Sequence, residues 1–175
     1  MLIVFGGLPG TGKTTIARAL ASRIGAVYLR IDSLEQAFIG AVGENVDIGA
    51  AGYLAGYAVA RDNLKLGLNV IADSVNALHV TRAAWRNVAA SARVAIFEIE
   101  VICSDADIHR FRVEGRIADI DRYMLPTWGS VLERHYDAWS SEHMIIDTAI
   151  MSAEQAVGHV MHALSSQAVH AVGAA

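Results

Sequence analysis

Gly7-Leu8-Pro9-Gly10-Thr11-Gly12-Lys13-Thr14 is the stretch whose residue types and spacing could do chemistry. Gly7, Gly12, Lys13 and Thr14 fit the pattern G-x-x-x-x-G-K-[ST]. Glycines let the backbone turn tightly and aim its N–H groups into one concave anion site. A helical-looking run from Thr15 follows and adds the positive end of its dipole. Lys13 supplies a point charge for β- and γ-phosphates, and the Thr14 hydroxyl can ligate Mg²⁺. Gly7 through Thr15 are therefore candidate nucleotide-binding residues, with ATP and Mg²⁺ as the expected ligands. A turn that merely joined strand to helix would need neither the lysine nor the hydroxyl.

Using a bound triphosphate takes further groups. Asp32 follows the run Val27-Tyr28-Leu29-Arg30-Ile31 and is the candidate general base, able to take a proton from an attacking hydroxyl. The competing reading is that Asp32 only caps the next helix. Asp73 follows Leu68-Asn69-Val70-Ile71-Ala72, as a Walker B acid does. It could hold Mg²⁺ through water or hydrogen-bond the acceptor. Asn76 and Arg82 could line the acceptor pocket, or sit in solvent. Asp147 reads as structural, because a last strand lies far from the phosphates. Arg112 and Arg116 are four apart and would share one helix face. Two guanidiniums on a mobile helix are suited to close over charge shared between donor and acceptor. The bland alternative is a solvated face paired with Glu114 and Asp119. The histidines show no metal-ligand spacing.

These residues need elements to position them. Strands are expected at Leu2–Gly6, 27–31, 68–72, 94–101 and 144–146. Helices are expected at about 12–24, from 34, and at 51–67, 81–92, 105–117, 127–139 and 152–164. Ser104, Thr127 and Ser152 are candidate helix caps. A glycine-rich loop at 40–52, with Glu44, Asn45 and Asp47, and a polar connection at 119–126 lie between. Strands alternating with helices predict an α/β fold, with a parallel sheet covered on both faces. Such sheets bind ligands beyond the C-terminal ends of their strands, where the three aspartates fall.

Composition bounds the partners. The chain has 175 residues, 54% of them hydrophobic and 18% charged, which suits one domain with a real core. Net charge is −4 with no basic block, so duplex nucleic acid finds little electrostatic purchase. No run approaches a membrane span, and the apolar start is too short for a signal core. The single Cys103 suits a reducing compartment, so a cytoplasmic protein is expected. The oligomeric state is open. A single domain over 1–167, with a small helical lid near 105–126, and a frayed tail over 168–175 are expected.

The phosphate loop, Asp32, Asp73 and the Arg112-x-x-x-Arg116 pair resemble the P-loop kinases of the AAA_33/zeta-toxin-like group. Asp73-Ser74-Val75-Asn76, Thr81-Arg82-Ala83-Ala84-Trp85 and Pro126-Thr127-Trp128 are similar to the same group. It includes polynucleotide 5′-kinases, chloramphenicol phosphotransferase, gluconate-kinase-like enzymes and bacterial "AAA family ATPase" proteins. The resemblance implies an adenylate-kinase-like sheet of order 2-3-1-4-5, Asp32 as acceptor-activating base and the two arginines as a lid. The leading expectation is an ATP-dependent phosphotransferase acting on a small-molecule hydroxyl. The alternatives are a polynucleotide or nucleotide-sugar kinase, and a nucleotide-binding switch that transfers to no acceptor.

Overall fold

The computed structural model describes residues 1–43, 45–120 and 123–172, with side chains to 166. Glu44, Asp121, Arg122 and the last three residues of the expected tail lie outside the described residues. In chain order the elements are β1 (Leu2–Gly6), α1 (Lys13–Ile24), β2 (Val27–Arg30), α2 (Ile31–Val42) and α3 (Ala51–Lys65). Then come β3 (Val70–Asp73), α4 (His79–Ala92), β4 (Ile96–Ile102), α5 (Ala106–Glu114), α6 (Trp128–Leu132), β5 (Met144–Asp147) and α7 (Ala153–Val172).

The strands form one sheet in the order β2-β3-β1-β4-β5, and every pairing is parallel. This is the order the resemblance implied. β1 is central and fully buried, and its side chains alternate between two cores. Ile3 and Phe5 join Ile16, Leu20, Val157 and Val160 beneath α1 and α7. Leu2 and Val4 join Ala60, Leu64, Trp85 and Val88 beneath α3 and α4. Each such side chain removed from water contributes about 1.5–3 kcal/mol, so β1 belongs to both layers and carries the loop at its end on a stiff support.

The polar segments differ most from expectation. The strand at 27–31 ends at Arg30, and Ile31 with Asp32 already begins α2. Gly40 lies inside α2, so the loop before α3 is shorter than 40–52. The helix expected at 105–117 stops at Glu114, where Gly115 takes the C-cap, and Asp105 caps its start in place of Ser104. The helix expected at 127–139 shrinks to one short turn, α6, capped by Thr127 as expected. α7 runs past 164 to Val172. Among the described residues no helix is long and apolar enough to cross a membrane.

Candidate active site

The loop after β1 forms a cup over the start of α1. Gly7 and Gly12 hold φ of +141° and +91°, a region that side chains resist. Three bonds pin the cup from outside. Gly7 N–H donates to the Val75 carbonyl at 3.0 Å. His109 Nε2 donates to the Pro9 carbonyl at 2.8 Å, which fixes its tautomer because a carbonyl only accepts. The Thr148 hydroxyl donates to the Thr11 carbonyl at 2.8 Å. A cleft of about 300 Å³ opens above, walled by Gly10, Gly12, Lys13, Thr14, Arg18, Arg112, Arg116 and Asp119. Lys13 is only 5% exposed. Burial lowers its pKa, Asp73 and Asp32 work against that, and Arg116 and Arg30 add to it. An anion arriving here meets a cation that is short of solvent.

Asp73 ends β3, in register with Phe5 on one side and Arg30 on the other. The Tyr28 hydroxyl donates to its Oδ2 at 2.6 Å. Burial and then the Asp73 charge push the Tyr28 phenol up. Asp73 Oδ1 is buried with no hydrogen-bond partner. A buried carboxylate oxygen without a partner, within electrostatic reach of Lys13, fits a Mg²⁺ ion or its bound water.

Asp32 lies in the first turn of α2, and that helix has no side-chain cap. The capping alternative therefore falls away. Its carboxylate ion-pairs with Arg30 Nη2 at 3.6 Å, too long for a hydrogen bond. One turn on, burial and then the Asp32 charge push the Glu35 carboxyl up. Burial and then Asp32 do the same to the Tyr123 phenol. Asp32 thus sits among partly buried polar groups within electrostatic reach of Lys13, its carboxylate paired by charge with Arg30 and accepting no hydrogen bond among the described residues.

The arginine pair needs correction. Gly115 ends α5 before Arg116, so the two do not share a helix face, although both wall the phosphate cleft. Arg112 is tied down, since it donates to the Thr148 hydroxyl at 2.7 Å and the Thr148 carbonyl at 3.0 Å. It borders a second cleft of about 450 Å³, formed with Ile16 and the 148–153 turn after β5. Arg116 lies 3.8 Å from Asp119. The Asp119 carboxylate also takes Arg18 at 2.6 Å and Arg30 at 2.8 Å. Hydrogen bonding from Arg30 leads in lowering its pKa to about 2, against some burial.

Asn76 and Arg82 are both buried, not solvated. Asn76 is held at φ +52°, its N–H donating to the Tyr53 hydroxyl at 3.2 Å, and its amide oxygen and nitrogen have no partners. Arg82 has an internal task. Its guanidinium donates to the carbonyls of Ala77 at 2.7 Å, Asp137 at 2.5 Å and Ala138 at 3.1 Å. It also stacks on Trp139, 4.6 Å from the ring centre. Asp147 accepts from the Ser104 and Ala149 amides, a structural role as expected.

Two residues escaped the sequence reading of the site. His109 is buried under the phosphate loop. Arg30 is buried at the end of β2, its side chain 2% exposed. The signal for Arg30 was visible, because a charge stands in an otherwise apolar strand. Nothing in the spacing of His109 pointed toward Pro9.

A parallel sheet in this order, with its first loop wrapped into an anion cup over a helix start, defines a P-loop nucleotide-binding fold. The family described as an AAA domain, AAA_33, matches residues 2–128, and the chain belongs to it. A candidate kinase from Chloroflexus aurantiacus J-10-fl superposes with a TM-score of 0.71 at 22% identity, covering 94% of this chain and 96% of that one. The Mycobacterium tuberculosis APS kinase CysC, in complex with AMPPNP and APS, gives 0.66 at 17% identity over 94% and 96% of the two chains. These likenesses establish the fold. In sequence, 75 residues are 33% identical to the ATP-dependent protease ATPase subunit HslU of Desulfovibrio desulfuricans. That match covers 43% of this chain and only 15% of the relative's length.

Proposed function

We propose that the protein is an ATP-dependent phosphotransferase that moves the γ-phosphate to the hydroxyl of a small molecule. One observation carries the reading: Asp32 caps nothing, and its carboxylate, paired only by charge with Arg30 Nη2 at 3.6 Å, acts on Lys13 at the phosphate cup. A nucleotide switch needs no such group. The loop amides and Lys13 bind the β- and γ-phosphates. Thr14 and Asp73 would hold Mg²⁺, which supplies charge neutralisation across the phosphates when bound. The cleft between Arg112 and the 148–153 turn suits the base end of the nucleotide, on the β5 side. The acceptor then approaches from the β2–β3 side, where Asp32 takes the hydroxyl proton and Asn76 hydrogen-bonds the acceptor. Arg116 offsets charge in transfer, and Arg112 orients the nucleotide. Solved structures of the same fold that include an APS kinase are in keeping with this reading.

The test is a metabolite-pool screen with Mg·ATP for any phosphorylated product, repeated with Asp32→Asn. The variant should bind AMPPNP within about threefold of the parent yet lose transfer by at least about 10²-fold, the usual worth of a positioned base. Normal transfer by Asp32→Asn would remove the base assignment. Phosphorylation of an oligonucleotide 5′ end would move the acceptor to nucleic acid. Tight binding with no transfer to any acceptor would favour the switch.

A further inference from the structure

Three guanidiniums from three separate parts of the chain converge on one carboxylate. Arg18 comes from α1, Arg30 from the end of β2 and Arg116 from the chain after α5, and all meet Asp119. Asp119 belongs to the irregular, exposed stretch that follows Gly115. The arrangement is an anion seat filled by the protein's own side chain.

Arg30 is the member that this pairing does not satisfy. Its side chain is almost wholly buried, yet Nε and Nη2 have no hydrogen-bond partner. Asp32 stands 3.6 Å from Nη2 and leaves the other edges of the fork open. Burying a guanidinium with unmade hydrogen bonds is costly unless something completes them. Its position says which ligand that is. Arg30 does not wall the cleft above the cup, whereas Arg18 and Arg116 do. It lies on the β2 side, in register with Asp73 and two residues before Asp32. In-line transfer brings the acceptor to the γ-phosphate from the face opposite the leaving nucleotide. With the base cleft on the β5 side, the acceptor's face is the β2 side.

On the phosphotransferase reading, we infer that the acceptor carries an oxyanion close to its reactive hydroxyl, and that Arg30 receives it when Asp119 lets go. A carboxylate, a phosphate or a sulfate has the planar or tetrahedral oxygens that a guanidinium fork fits. Neutral polyols would leave Arg30 as it is now.

The experiment titrates sodium sulfate, phosphate and acetate separately into protein saturated with Mg·AMPPNP, by calorimetry. Arms with glycerate against glycerol and phosphoserine against serine, read by ADP release from Mg·ATP, separate carboxylate from phosphate acceptors. One oxyanion should bind at a further site. Arg30→Gln should weaken it at least about tenfold, the worth of one charge-assisted hydrogen bond, with AMPPNP affinity within about threefold of the parent. Asp119→Asn should tighten it several-fold by removing the competing carboxylate, and this arm decides the matter if Arg30→Gln does not fold. Absence of a further site, an Arg30→Gln variant that binds as the parent does, or unchanged or weaker binding in Asp119→Asn would overturn the inference. So would an equal loss of AMPPNP, which would assign Arg30 to the nucleotide. Failure of the phosphotransferase reading looks different: Mg·AMPPNP would not bind, would bind equally to Lys13→Ala, or would bind while no acceptor, charged or neutral, gained phosphate.

Discussion

Removing the Arg82 guanidinium should cost stability and leave the chemistry of the site intact. The side chain is 1% exposed and joins three carbonyls, of Ala77, Asp137 and Ala138. It stacks on Trp139, and a β-carbon added at Gly6 would stand 2.6 Å from that ring, so Trp139 in turn packs on the root of the phosphate loop. Hydrogen bonds from a charged donor are each worth about 1.5–3 kcal/mol, which would sum to roughly 5–9 kcal/mol. Against that stands the burial of a cation, a cost of several kcal/mol that the substitution removes. The surviving difference is about 3 kcal/mol for Arg82→Ala, a loss of roughly 6–12 °C in Tm for a chain of this length. Arg82→Lys keeps the charge but loses the fork and should fall between. Urea and thermal unfolding measure the loss. AMPPNP titration at 15 °C, where the variant remains folded, should stay within about threefold of the parent. A variant as stable as the parent that had nonetheless lost transfer would refute the reasoning, and would return Arg82 to the acceptor pocket, one of the two positions the sequence left open.

Three further outcomes follow from the same geometry. Lys13→Ala should lose Mg·AMPPNP binding by at least about tenfold in a titration, because a buried ammonium aimed at phosphates contributes about 1.5–3 kcal/mol. His109→Phe should keep its edge contact with Trp128 but release the Pro9 carbonyl; stability falls by about 1 kcal/mol, and AMPPNP affinity falls severalfold because the cup is no longer pre-shaped. The Asp119 carboxyl is held down to about pKa 2 from an ordinary 3.8. Its contribution is therefore complete above that ordinary value and is lost as pH falls through about 4 to 2. Solvent screening keeps it to about 1 kcal/mol or less. Stability measured from pH 6 to 2 should show parent and Asp119→Asn curves converging at the acid end.

The apolar parts of this chain were legible because their patterns are local. Leu2 to Phe5 reads as a buried parallel strand from four residues, and the glycine spacing after it names the cup directly. Asp32 and Asp73 were placed by one rule, that ligands gather beyond strand ends. What sequence could not give was long-range pairing of polar side chains. Arg82 reaches carbonyls more than fifty residues away, and Arg112 meets Thr148 across thirty-six. Neither partner leaves a trace in periodicity. Helix ends failed for a related reason. A four-residue spacing puts Arg112 and Arg116 together only while the helix lasts, and Gly115 stops it between them.

α5 is fastened twice, by His109 to the phosphate loop and by Arg112 to the turn after β5. The segment expected to swing as a lid is thus divided into an anchored root and a tip that starts at Gly115. On the lid reading, any closure over a ligand would be confined to Arg116 and Asp119 beyond that glycine, with the helix behind it as the doorframe.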